Sequence, residues 1–252
     1  MMAARSAATP SEIHGASGTD VTDDAAAGQA VAITRDGLRD GSLLAAARSQ
    51  MPPNAQWLSD AEIDADLDVT MAGHDPNADA WLFGYGSLMW NPAIRFIERQ
   101  AATVRGWHRS YCLWLEVGRG TPANPGLMLA LDRGGSCGGA LFRIAAEEAR
   151  AELLLAWRRE LFTGAYRSRW VTAMTPHGPV RAMTFVANHA HARYAGRLDE
   201  ATVAERLACA AGTLGSCRSY LMQTLEAVHA LGLRDHVLER LRDRVALIAC
   251  NG

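Results

Sequence analysis

An α+β fold is predicted for this chain by three observations. Short apolar runs bounded by Gly, Pro and Asn recur between Trp81 and Val186, the pattern of strands separated by turns. Apolar residues at helical spacing appear over residues 146–162 and again beyond Asp199. The chain has 252 residues, of which 49% are hydrophobic, enough for one well-buried domain of ordinary size with peripheral segments.

Residues 1–32 are dominated by Ala, Gly, Ser, Thr and Asp and cannot bury enough surface to offset ordering entropy, so a disordered tail is expected. Residues 33–77 carry scattered apolar clusters: Leu38, Leu43-Leu44, Trp57-Leu58, Ile63 and Leu67. Within them Ser59-Asp60-Ala61-Glu62 has the form of a capping box. This extension is expected to wrap the domain as one or two short helices. The compact domain is expected over 78–250.

It opens with Trp81-Leu82-Phe83, a buried-strand run stopped by Gly84-Tyr85-Gly86-Ser87. Further strands are expected at 103–117, 126–131, 138–144, 166–174 and 180–186, the last two joined by a turn at Pro176-His177-Gly178. The result is an antiparallel-rich β core. A helix is expected over 146–162, where Leu153, Leu154, Trp157 and Leu161 share a face, and another after Asp199. Two more close the chain, one from Ser216 ending at Gly232 and one after Asp235.

Composition removes several function classes. The formal net charge is -2, so there is no basic field to hold a phosphate backbone or an anionic membrane surface, and neither partner is expected. All 25 basic residues are Arg. Without Lys there is no phosphate-binding loop of the Gly-Lys-Ser/Thr type and no Schiff-base lysine. The five cysteines, Cys112, Cys137, Cys209, Cys217 and Cys250, are odd in number and scattered, and read as reduced thiols of a cytoplasmic protein. No apolar run approaches the ~20 residues that span a bilayer, and no secretory leader pattern opens the chain. The oligomeric state is not legible.

Two places could carry chemistry. In Gly84-Tyr85-Gly86-Ser87 the glycines let consecutive N–H groups converge, a concavity for a carboxylate or a developing oxyanion; four residues alone read equally as a plain strand end. Glu160 closes an amphipathic helix after Arg158-Arg159, a position that by itself suits a solvated charge. Ser87 lacks the Gly-x-Ser-x-Gly setting of a hydrolase nucleophile. His189 and His191 have no nearby Cys or acidic partner to complete a ligand set, and Cys209 and Cys217 fit no zinc spacing, so no metal is expected.

Taken together, these stretches resemble the ChaC family of γ-glutamylcyclotransferases, in its bacterial type with an N-terminal extension. The carriers of the resemblance are Trp81 through Pro92, Arg119-Gly120-Thr121-Pro122 with Pro125-Gly126-Leu127, Trp157-Arg158-Arg159-Glu160, and Gly164-Ala165-Tyr166-Arg167. Tyr194-Ala195-Gly196, Gly212 to Ser216 and Tyr220-Leu221 follow in the same order. The chain departs from the pattern at Ala192-Arg193, where the family often shows Asn-Pro, at Ala195, which replaces a leucine, and at Cys217, where asparagine is common. Those departures bear on the pocket rim and so on substrate choice.

The resemblance implies a small mixed, closed β-barrel with helices outside. It also implies cleavage of a γ-glutamyl amide by cyclisation, releasing 5-oxoproline, with glutathione as the small-molecule substrate and no cofactor. It nominates Glu160 as general acid and base. Phe83, Gly84, Tyr85, Gly86, Ser87, Leu88, Tyr166 and Tyr194 would bind substrate. The nucleophile would be the substrate's own α-amine, so orientation does much of the work. Two alternatives stay open: γ-glutamyl amino acids or amines as substrates, and a silent relative that binds γ-glutamyl ligands, whose mark would be loss of the glutamate.

Overall fold

A computed structural model describes residues 32–51 and 55–250; the expected tail lies, but for Ala32, outside them. Five strands, β1 (Ala80–Gly84), β2 (Glu98–Leu115), β3 (Gly126–Ile144), β4 (Tyr166–Thr175) and β5 (Gly178–Ala187), form a closed barrel in the order β1-β3-β2-β4-β5. Neighbours run antiparallel, except where β5 closes the barrel in parallel against β1 at Leu82↔Met183 and against β3 at Leu131↔Val186. The barrel implied by the family resemblance is therefore present.

Strand β1 reads as a continuous apolar run because both of its faces are covered. Leu82 joins a buried cluster with Leu153, Ala156 and Trp157, while Phe83 joins another with Leu131, Leu141 and Val186. The two strands expected at 126–131 and 138–144 are one. Gly134 and Gly135 look like a turn in the sequence, but with φ of 96° and 67° they form an irregularity opposite Gly106 (φ 80°), and the β2–β3 ladder resumes beyond it. Left-handed glycines bend the long hairpin without breaking it.

Helix α4 (Ala149–Leu161) lies outside the barrel with Trp157 fully buried against Phe185. Each large apolar side chain so buried contributes roughly 1.5–3 kcal/mol. On the far side α5 (Glu200–Cys209), α6 (Cys217–Ala230) and α7 (His236–Ala246) cover Tyr111, Leu127, Leu129 and Phe142. A two-stranded hairpin, β6 (Ala211–Gly212) and β7 (Gly215–Ser216), links α5 to α6.

Among the described residues the extension forms three helices rather than one or two: α1 (Arg35–Arg39), α2 (Ser42–Gln50) and α3 (Asp60–Met71). A break at Asp40-Gly41, with Gly41 at φ 78°, divides the first two. The Ser59–Glu62 capping box forms at the start of α3. These helices are pinned to α4 by polar contacts. Buried Glu152 pairs with Arg35 and accepts the Arg95 N–H at 2.8 Å, and Arg158 Nη1 donates to the carbonyls of Leu38 and Arg39.

The cysteine reading needs correction. Cys209 and Cys250 are joined in a disulfide, while Cys112, Cys137 and Cys217 are free and buried. Helix α5 ends beside the segment that follows α7, which brings two cysteines 41 residues apart in sequence to a Cα separation of 5.4 Å. Spacing along the chain does not register such an approach. No helix among the described residues is long and apolar enough to cross a membrane.

Candidate active site

Strand β1 delivers the glycine turn to one end of the barrel. After Gly84 the chain passes through Tyr85 and Gly86 into a short 3-10 turn, Ser87–Met89. Both glycines are sterically required. A Cβ on Gly84 would lie 2.9 Å from Leu88 Cβ, and one on Gly86 would lie 2.7 Å from the Tyr220 hydroxyl oxygen. The carbonyls of Gly86 and Ser87 accept from Met89 N (2.8 Å) and Asn91 N (2.9 Å). Among the described residues the N–H groups of Gly86, Ser87 and Leu88 find no main-chain acceptor, the ordinary state of a helical first turn. They are free for an anion.

Behind the turn, Arg109 from β2 holds it in place. Its Nε donates to the Tyr85 carbonyl at 2.7 Å, Nη2 donates to Gly138 O at 2.7 Å, and Nη1 pairs with Asp235 at the start of α7. Thr184 Oγ1 donates to the Phe83 carbonyl at 2.9 Å.

Glu160 sits in the last turn of α4 with its side chain only 15% exposed. Arg159 turns inward with it, Nε 3.2 Å from Oε1, whereas Arg158 turns to the extension. Burial pushes the Glu160 carboxyl above its ordinary value, and the neighbouring Arg159 charge offsets only part of that rise. The result is a carboxylate that takes up a proton more readily than a solvated one.

Glu160 and the turn open onto the same cavity of about 890 Å³. Tyr85, Gly86, Ser87 and Leu88 line it, as do Glu160 and Tyr166, whose hydroxyl donates to Leu129 O at 2.7 Å. Phe83 and Gly84 stand behind the wall, Phe83 fully buried. Tyr194 lies outside it: its hydroxyl donates to Asp132 Oδ2 at 2.8 Å and its ring stacks on His189 at 4.3 Å. His189 is itself paired to Asp132 at 2.7 Å. No group of three His, Cys, Asp or Glu among the described residues is arranged to hold a metal ion.

Several wall residues escape sequence reasoning. Tyr220 comes from α6, with its ring edge-on to Trp90 and under the Arg119 guanidinium; burial pushes its hydroxyl well above the ordinary phenol value. Arg193 and His191 come from the segment after β5. Leu43, Ala46, Ala47 and Gln50 come from α2. Apart from the motif order at Tyr220 and the departure from the family pattern at Arg193, nothing in their local pattern marks them, because they meet only through long-range packing.

The chain was compared with known proteins. A family model described as ChaC-like protein matches residues 80–247. The chain is 39% identical over 178 residues to the glutathione-specific γ-glutamylcyclotransferase of Escherichia coli (strain K12), covering 70% of this chain and 77% of that one. It is 30% identical over 185 residues to the glutathione-specific γ-glutamylcyclotransferase 1 of Mus musculus, covering 70% of this chain and 82% of that one. Among solved structures, a γ-glutamylcyclotransferase specific to glutathione from yeast superposes with a TM-score of 0.61 at 20% identity. It covers 68% of this chain and 96% of that one.

Proposed function

The chain belongs to the ChaC-like family, and on that premise we propose that it is a glutathione-specific γ-glutamylcyclotransferase. It releases 5-oxoproline and Cys-Gly by intramolecular attack of the γ-glutamyl α-amine. A cytoplasmic setting is part of this reading, with the Cys209–Cys250 disulfide a bond uncommon in that compartment.

One observation carries the proposal: a carboxyl with raised proton affinity and a turn whose N–H groups have no main-chain acceptor among the described residues line one cavity from two separate elements. The α-amine reaches the site as an ammonium. Glu160 removes one proton, the freed amine attacks the γ-carbonyl carbon, and the ring C–N bond forms. Protonated Glu160 then returns the proton to the departing nitrogen as the amide C–N bond breaks; the ring nitrogen gives up its second proton to solvent and the released amine takes one up, so one carboxyl serves as base and then acid.

The γ-carbonyl oxygen carries negative charge between the two steps. The N–H groups of Gly86, Ser87 and Leu88 are the donors suited to it, or to the glutamyl α-carboxylate, at no cost of reorganisation. Tyr85, Tyr166 and Tyr220 shape the pocket and exclude water. Phe83 and Gly84 support the turn, and Tyr194 acts through the segment that carries Arg193.

The test is product analysis with purified protein and glutathione. Wild type is expected to release 5-oxoproline and Cys-Gly in equal amounts. Folded Glu160→Gln should lose activity by about a hundredfold to ten-thousandfold. Wild-type turnover by that variant would refute the role of Glu160.

A further inference from the structure

Two cations line the cavity, and one of them is already committed. Arg159 faces Glu160 through Nε and donates through Nη1 to the Asn91 carbonyl. Arg193 is not. Its Nε donates to the Trp114 carbonyl at 2.6 Å, and among the described residues its two terminal nitrogens have no hydrogen-bond partner and no carboxylate within ion-pair distance.

The guanidinium is held firmly all the same. Trp114 N donates to the Arg193 carbonyl at 2.8 Å, Ala195 N donates to Cys112 O at 2.8 Å, and Arg193 N donates to His191 Nδ1 at 3.1 Å. The 193–195 segment is thus stitched to the end of β2, and the Nε–Trp114 O bond anchors the guanidinium at one of its three nitrogens. Little side-chain entropy remains to be lost on binding.

Its surroundings suit an anion. The Tyr166 hydroxyl is spent on Leu129 O, and the exposed Glu116 carboxylate at the rim acts on Arg193 through its charge but forms no ion pair with it. Burial and the Arg193 charge together push the His191 pKa down, which leaves that ring neutral. A cavity of about 890 Å³ is larger than a γ-glutamyl group and leaves room for a second part of the substrate. In a γ-glutamyl peptide that part ends in a carboxylate.

We infer that Arg193 binds the C-terminal carboxylate of the leaving peptide and so selects γ-glutamyl peptides that end in a free acid over γ-glutamyl amines and amides. The inference rests on the cyclotransferase reading.

The experiment compares wild type, Arg193→Leu and Arg193→Lys on glutathione and on its glycine carboxamide, following 5-oxoproline. Wild type should show a KM about tenfold or more higher for the carboxamide, the ratio expected of a charge-assisted hydrogen bond. Arg193→Leu should raise KM for glutathione by a similar factor, change kcat less than about twofold, and leave the carboxamide unaffected. Arg193→Lys, which keeps a donor for Trp114 O, should recover part of the difference and serves where the leucine variant folds poorly.

Equal KM values for acid and carboxamide in wild type, or an equal penalty on both in the variants, would overturn the inference. Failure of wild type to release 5-oxoproline from any γ-glutamyl compound would instead remove the cyclotransferase reading, and this inference with it.

Discussion

Arg109 Nε donates to the Tyr85 carbonyl oxygen at 2.7 Å, tying the substrate-facing turn to a cation buried in the barrel wall. The same guanidinium holds Gly138 O and pairs with Asp235, so three separate segments meet at one side chain. Lysine keeps the charge but lacks the planar fork. Arg109→Lys is expected to cost about 3 kcal/mol, from the loss of two charge-assisted hydrogen bonds. For a domain of this size that lowers Tm by roughly 6–12 °C. The loosened turn should also reduce kcat/KM. A melting curve superposable on wild type would show that the turn does not depend on Arg109.

Arg159 governs the proton affinity of Glu160. Burial raises the Glu160 pKa and Arg159 lowers it, with burial the larger effect. A base must be ionised, so kcat/KM should fall on the acid side through a pKa above that of a solvated glutamate. Removing the cation removes the lowering influence, so Arg159→Met should move this acid limb to higher pH. The pH profile of kcat/KM checks the sign. A limb that stays put or moves to lower pH would mean that another group controls the acid side.

Glu152 tests how the extension is held. Burial alone would raise its pKa, but the hydrogen bonds from Arg35 and the Arg95 N–H outweigh that and keep it below the ordinary value. A depressed folded pKa gives stability that is present above the unfolded pKa and lost as pH falls through the folded one. Glu152→Gln takes away the charge facing the partly solvated Arg35 and should cost about 1 kcal/mol at neutral pH, with the difference from wild type shrinking in acid. Urea unfolding at two pH values measures this directly. A cost that stays the same in acid would exclude the ion pair as its source.

The fold was legible where a physical cause is local. The apolar run of β1, the Pro176-Gly178 turn, and the caps at Ser59, Asp199, Ser216 and Asp235 all act within a few residues. Glu160 carries no local mark, since burial from distant elements sets its proton affinity; motif order brought it forward. Gly134-Gly135 misled because two glycines suit a turn and a bend alike, and the partner strand decides between them. Cys209 and Cys250 misled because loop closure over 41 residues leaves no trace in spacing. Arg193 was visible only as a departure from a pattern; its free guanidinium nitrogens belong to the packing of residues 193–195 on β2.

Helix α2 lies outside the residues matched by the family model, yet it forms part of the cavity wall. Gln50 near its end meets the Thr213 hydroxyl at 3.1 Å, and Leu58 N, just beyond, donates to Phe162 O at 2.9 Å. The segment therefore spans from the end of α4 to the tip of the β6–β7 hairpin, two sides of the same opening. If it closes the site around substrate, bulk added to its inner face must compete with substrate without disturbing the barrel core. Ala47 lines the cavity and is half-buried, so an indole there projects into space that the protein does not fill. Ala47→Trp is expected to lower kcat/KM about tenfold, mainly through KM, with Tm within a few degrees of wild type. Unchanged kinetics in a variant that melts like wild type would place substrate away from α2 and leave the helix a purely structural role.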